Sequence, residues 1–216
     1  MSTKFLAAFI AVVFCVVAHA ADPDPLSDFP PDVKSASDLK FNIFTSTVNA
    51  SGPGGKIFRA TGPAFPGVRT QGISATVVRF NTCGIAEPHH HPRATEIFYV
   101  ISGRILVGVY NPANGEVWTN VLGPGDLTVF PRGSTHFQQN FANGPTEAFI
   151  SFNSENPGSV FAANALSAFS NSTLGATIGV PASQAFAVKG LIDKTTLGLG
   201  SVARGTCLFA PPTQIP

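Results

Sequence analysis

A chain of 216 residues with 21 Gly, 18 Pro and 19 Phe has room for one well-buried core, and punctuation this dense excludes long helices over most of its length. Charged residues make up only 12%, and the formal net charge is +1. Loss of Lys4 with the leader described next leaves 12 cations against 12 carboxylates, and a neutral surface excludes nucleic acid and anionic membrane as electrostatic partners.

Residues 1–20 have the order of a signal peptide. Lys4 supplies a basic start, Phe5 to Val17 an apolar run, and Ala18-His19-Ala20 a small-x-small cleavage site. The run is too short to span a bilayer comfortably, a polar Pro-rich stretch follows it, and no later segment is apolar enough to span. The expectation is a soluble mature protein, secreted to the extracellular space or cell wall, with no membrane partner. Cys15 leaves with the leader. Cys83 and Cys207 remain, enough for one disulfide in an oxidising compartment, though spacing alone does not pair them. In a secreted chain Asn49-Ala50-Ser51 and Asn171-Ser172-Thr173 are glycosylation sequons, with Asn81-Thr82-Cys83 a weaker third.

Residues 21–40, rich in Asp, Pro and Ser, read as an extended arm. Over 41–155 short β-branched and aromatic runs follow at 72–80, 95–103, 104–110, 117–122, 127–131, 136–141 and 147–152, parted by Gly, Pro and Asn turns. That spacing predicts an all-β fold, a barrel or sandwich. Beyond Asn156-Pro157 the texture changes, and 159–169 and 181–192 are Ala- and Leu-rich at near-helical spacing, with Pro181 suited to a first helical position. Residues 156–200 thus read as short apolar helices that pack on something, a neighbouring subunit being one candidate, and 201–216 as a tail.

Three of the five histidines stand side by side at 89–91. Side chains on a strand alternate faces, so if His89 and His91 point inward, His90 points out. Pro92 bends the chain, which lets Glu96 return to the inner face at the start of the next strand. His136 opens another strand, with Gln138 and Asn140 on its face. Three imidazoles and a carboxylate suit Mn, Fe, Zn, Ni or Cu, and do not suit Ca or Mg. An isolated strand histidine is more often surface or satisfied core; it is the spacing of the whole set that argues for a metal site. Nearby residues take plainer roles: Arg93 as a surface ion-pair partner, Glu87 as a solvated loop charge, Trp118 and the phenylalanines as core.

Gly84 followed by His89-x-His91-x4-Glu96-x6-Gly103 resembles the first cupin motif, and Gly125-x5-Pro131-x-Gly133-x2-His136-x3-Asn140 resembles the second throughout. In detail both resemble the germin version, and 22–29, 72–80 and 156–166 are similar to germin segments, so the likeness covers most of the mature chain. Some features resemble the spherulin-like germins of fungi and slime moulds. The resemblance implies a single cupin jelly-roll barrel with an N-terminal arm and C-terminal helices, holding Mn²⁺ on His89, His91, Glu96 and His136, with other divalent transition metals as alternatives. It implies pocket roles for Asn140 and Phe137, and a homo-oligomer: dimer, trimer or hexamer.

Three departures matter. Pro30 stands where germins have the first cysteine of the family disulfide, so that bridge is absent. Thr76 and Ala86 fall where oxalate-oxidising germins carry substrate-binding asparagines; a small dianion needs fixed donors, so their loss argues against oxalate oxidation. Cys83 takes the place of a glycine, read as a tolerated turn change. Three functions compete: a secreted Mn-dependent superoxide dismutase, which needs no dedicated substrate donors; an oxalate oxidase; and a non-enzymatic metal-binding, storage-like or structural protein of stress or encystment, of the nutrient-reservoir type.

Overall fold

The computed structural model describes residues 27–192 and 198–202. The leader with Cys15, the start of the arm, and the tail with Cys207 lie outside the described residues.

Twelve strands carry the architecture: β1 (Asn49–Gly52), β2 (Gly55–Ala60), β3 (Ser74–Phe80), β4 (Gly84–His90), β5 (Glu96–Ser102), β6 (Ile105–Asn111), β7 (Glu116–Leu122), β8 (Leu127–Phe130), β9 (His136–Asn140), β10 (Thr146–Phe152), β11 (Val160–Phe161) and β12 (Leu199–Ser201). They form two antiparallel sheets. One runs β1-β2-β3-β10-β5-β8; the other runs β11-β4-β9-β6-β7, with β12 also on β4. The all-β expectation holds because the runs alternate. Phe98 and Val100 on β5 are fully buried while Ile97, Tyr99 and Ile101, which alternate with them, are exposed. Phe80, Phe98, Val100, Ile105, Phe130 and Ala148 meet in one core cluster.

Four strands carried no clear sequence signal. Glycine weakens the β-pattern of β1 and β2, and β11 and β12 are only two and three residues long. β11 and β12 fall in segments read as helical and tail, and both add to β4. Among the described residues three α-helices accompany them: α1 (Ala162–Ala168), α2 (Asn171–Ile178) and α3 (Ala182–Leu191). The sequence predicts the first and last. The second has a Ser170 hydroxyl cap on Thr173 N–H and a left-handed Gly179 at its end. Pro181 stands one residue before α3 rather than inside it. The arm is docked as well as extended: Ala36–Leu39 form a 3₁₀ turn capped by the Asp38 carboxylate, and Asp32 pairs with Arg69 at 2.6 Å.

Cys83 has φ 62, the left-handed region that favours glycine, which accounts for the glycine usual in this box. It is also disulfide-bonded. Cys207, the candidate partner, lies outside the described residues.

The β5–β6 turn depends on Gly103, at φ 85, where a Cβ would come within 2.2 Å of the buried Thr146 hydroxyl. Strain and clash act together, so Gly103→Ala lowers stability by roughly 1–3 kcal/mol. Urea unfolding of wild type and variant measures it; equal midpoints would contradict the tight turn.

Candidate metal centre

His89, His91, Glu96 and His136 are all buried, and one candidate ligand atom from each lies within 4.8 Å of the others. They come from opposite sheets. His89 sits on β4 directly across from His136 on β9. Glu96 is the first residue of β5 in the other sheet, between Phe130 and Phe152 on its neighbours. His91 follows the end of β4, where its carbonyl accepts Gly133 N–H from the turn before β9. His90 is only half-buried and pairs with Val160 of β11, as alternation requires.

Each imidazole is oriented by the backbone. Nδ1–H of His89 donates to the Glu87 carbonyl at 2.7 Å and that of His136 to the Ser134 carbonyl at 2.8 Å; His91 uses the Gly158 carbonyl. These bonds leave the three Nε2 atoms turned toward the centre, the tautomer that a metal-ligating histidine needs. Aromatic rings hold the planes: Phe130 stacks on His136 with centroids 4.1 Å apart, and Phe152 meets His91 edge-on at 4.8 Å.

The electrostatics require a cation. Nε2 of His91 lies 2.9 Å, and Nε2 of His136 3.4 Å, from the same Glu96 oxygen. Two lone pairs so close to a carboxylate repel unless a proton or a metal ion lies between them. His136 Nε2 is buried and makes no hydrogen bond. The second Glu96 oxygen accepts from Gln138 Nε2 at 3.3 Å. Burial by itself pushes the Glu96 carboxyl up, but His136 and His91 outweigh it and hold the group down at about 2. Burial, with His136 and His91 adding to it, pushes His89 down to about 3. A neutral imidazole and an ionised carboxylate are the ligand forms a transition metal takes, and the donor set fits one.

A cavity of about 60 Å³ opens beside these groups. Thr76, Ala86 and Gln138 line it, as do Arg59, Ile57 and Ile150. Ala86 faces inward only because β4 is irregular: the register shifts between Ala86 and His89, so residues three apart share a face. Asn140 and Phe137, to which the resemblance gives pocket roles, are not among the residues lining this cavity. Asn140 staples a loop, donating to the Asn81 and Gly144 carbonyls and accepting from Thr146. Phe137 alternates to the other face of β9, against Gly108. Gln138 takes the inner place between them. Among the described residues Arg93 forms no ion pair; it binds the carbonyl and side-chain oxygen of Asn156 and so braces the loop that offers Gly158 to His91. That carbonyl left no sequence signal, because a backbone oxygen has no residue type.

His89→Ala, His91→Ala and His136→Ala each remove a ligand, so each lowers metal affinity beyond the roughly 10–100-fold that losing an orienting partner costs. His90→Ala keeps the metal. Elemental analysis of the purified variants tests both, and metal loss in His90→Ala would break the alternation. In the metal-free protein the lowered His89 pKa makes the unfolded chain the better proton binder below its value of 6.5. Stability is therefore full above about pH 6.5 and falls toward about pH 3; Glu96 adds a loss only below 4.5. Thermal unfolding between pH 7 and pH 4.5 shows this slope, and His89→Gln flattens it.

The cupin family model matches residues 41–184. Germin-like protein subfamily T member 2 of Arabidopsis thaliana is 36% identical over 180 residues, covering 74% of this chain and 80% of the relative. Germin-like protein 4-1 of Oryza sativa subsp. japonica is 36% identical over 196 residues, covering 76% of each. A solved oxalate oxidase superposes with a TM-score of 0.70 at 32% identity, covering 78% of this chain and 96% of its own. These curated relatives are plant proteins and lend no support to a spherulin-like type. With its barrel, both sequence boxes and the four converging side chains in place, the chain belongs to the cupin family and is a germin-like member of it.

Proposed function

We propose that the chain is a secreted germin-like cupin that holds Mn²⁺ on His89, His91, Glu96 and His136 and dismutes superoxide. One observation carries this: three backbone-anchored imidazoles turn Nε2 toward one buried carboxylate, within 4.8 Å of each other. Manganese bound there supplies one-electron chemistry, by which two superoxide ions and two protons become dioxygen and hydrogen peroxide. The chain's own part is to fix the three rings through Glu87, Ser134 and Gly158, to hold Glu96 through Gln138, and to keep the centre in an apolar wall of Phe130 and Phe152. Affinity order favours Cu and Zn over Mn at such a site, so manganese must be selected by coordination number or availability.

Oxalate oxidation is the weaker reading. Thr76 and Ala86 both line the cavity, so a hydroxyl and a methyl stand where the resemblance calls for amides. Secretion follows from the leader, and glycans on Asn49 and Asn171 from the two sequons; Asn49 is exposed at the start of β1 and Asn171 half-buried at the start of α2. A homo-oligomer is supported by the apolar face of the helices, where Phe186 is 69% and Leu191 83% exposed.

Protein purified with its metal should contain manganese, dismute superoxide faster than an equal amount of free Mn²⁺, and release no peroxide from oxalate. Full manganese occupancy without turnover would leave the storage-like reading, and peroxide from oxalate would restore the oxidase.

A further inference from the structure

Asparagine precedes glycine at two places in the chain, Asn114-Gly115 and Asn143-Gly144. Glycine has no side chain to shield its amide nitrogen, so in such a pair that nitrogen can reach the carboxamide carbon of the asparagine before it. Both asparagines are exposed, and exposure does not separate them. Hydrogen bonding does.

Asn114 stands in the β6–β7 turn with its carboxamide held on residue 116: Nδ2 donates to Glu116 Oε2 at 2.6 Å, and Oδ1 accepts the Glu116 N–H at 3.1 Å. The Gly115 N–H donates to the Asn111 carbonyl at 2.9 Å, so the nitrogen that would attack is engaged as well. Asn143 stands in the β9–β10 loop. Among the described residues its carboxamide has no hydrogen-bond partner, and neither has the Gly144 N–H. The loop is nevertheless fastened on both sides of it. Asn140 Oδ1 accepts the Ala142 N–H at 2.8 Å and the Thr146 hydroxyl at 2.7 Å, and Asn140 Nδ2 donates to the Gly144 carbonyl at 2.7 Å. A Cβ placed on Gly144 would meet nothing within 4 Å, so this side of the peptide lies open to water.

We propose that Asn143 is a site of spontaneous modification, converted in the folded protein to aspartate and isoaspartate through a succinimide, while its turn protects Asn114. The Gly144 nitrogen bonds to Asn143 Cγ, the Cγ–Nδ2 bond breaks, and Nδ2 leaves as ammonia with the Gly144 amide proton. Water then opens the ring. Cleavage at Cγ gives aspartate; cleavage at the main-chain carbonyl carbon gives isoaspartate. The balance is water in and ammonia out, with no oxidant or reductant. Isoaspartate inserts a methylene into the main chain, which draws the Gly144 carbonyl away from Asn140, and either product adds a negative charge to a chain of formal net charge +1. No step depends on the metal or on the proposed reaction.

Ageing the metal-loaded protein at mildly alkaline pH, which favours loss of the amide proton, and mapping its peptides by mass spectrometry tests this. In folded wild type Asn143 converts at least about tenfold faster than Asn114, because attack at Asn114 first breaks the hydrogen bonds of its turn. In urea the two convert at similar rates. Gly144→Ala suits the open space and a φ outside the left-handed region, so it folds as wild type does and slows conversion by shielding the nitrogen. Aged wild type melts below fresh wild type, whereas aged and fresh Gly144→Ala melt together. Equal conversion of Asn114 and Asn143 in the folded protein, an Asn143 that converts only in urea, or undiminished conversion in Gly144→Ala would each overturn the proposal. Equal melting of fresh and fully converted wild type would overturn the loss of the Asn140 tie. Metal content and turnover enter none of these readouts, so failure here is distinct from failure of the proposed function.

Discussion

A carboxylate that is 1% exposed between two β-sheets stays ionised only with positive charge beside it. Glu96 is that carboxylate. Its own sheet cannot neutralise it, since Phe130 and Phe152 flank it there. The facing sheet brings Nε2 of His91 and of His136 to the same Glu96 oxygen, where a cation shared among them compensates the carboxylate, and the centre becomes a clamp between layers. Each His ring must keep a proton on Nδ1 for a carbonyl and leave Nε2 for the centre, so the peptide groups of Glu87, Ser134 and Gly158 belong to the site as much as the ligands do.

β4 is the element on which these demands meet. It supplies His89, continues into His91, and pairs with β9, β11 and β12. Pro88 and the register shift beside it set which residues turn inward. The segment after the barrel then closes over the strand: Asn156 is held by Arg93, Gly158 reaches His91, and the Phe161 ring lies 5.5 Å from His89. At the other end Leu199, fully buried, lies across from Ala86. Residues remote in sequence thus hold one strand at both ends, next to a disulfide-bonded Cys83 in a strained turn.

The cavity wall shows how a shared scaffold is altered locally. The four candidate ligands and the glycines at 103, 125 and 133 keep to the two sequence boxes, while Cys83, Thr76 and Ala86 depart from the germin resemblance, and Arg59 brings a charge from a neighbouring strand. The geometry of the four converging side chains is set by rigid strand pairing and bears no such change. The wall away from the metal has only packing and hydrogen bonding to satisfy, so it can exchange amides for a methyl and a hydroxyl without disturbing the fold.

By itself the sequence determined the strand series from 72 to 152, the inward pair His89 and His91 with His90 turned away, and the membership of Glu96 and His136 in one donor set. Period-two alternation and Gly/Pro punctuation are local, and both were readable without a partner strand. Only the tertiary structure decided that Gln138 and not Asn140 reaches the centre, that Ala86 shares a face with His89 across an irregular register, and that Gly158 orients His91 from the far side of the barrel. It also decided that Arg59 joins the wall. Those placements depend on bulges, backbone carbonyls and strand pairs dozens of residues apart, and none of them leaves a mark on residue type or spacing.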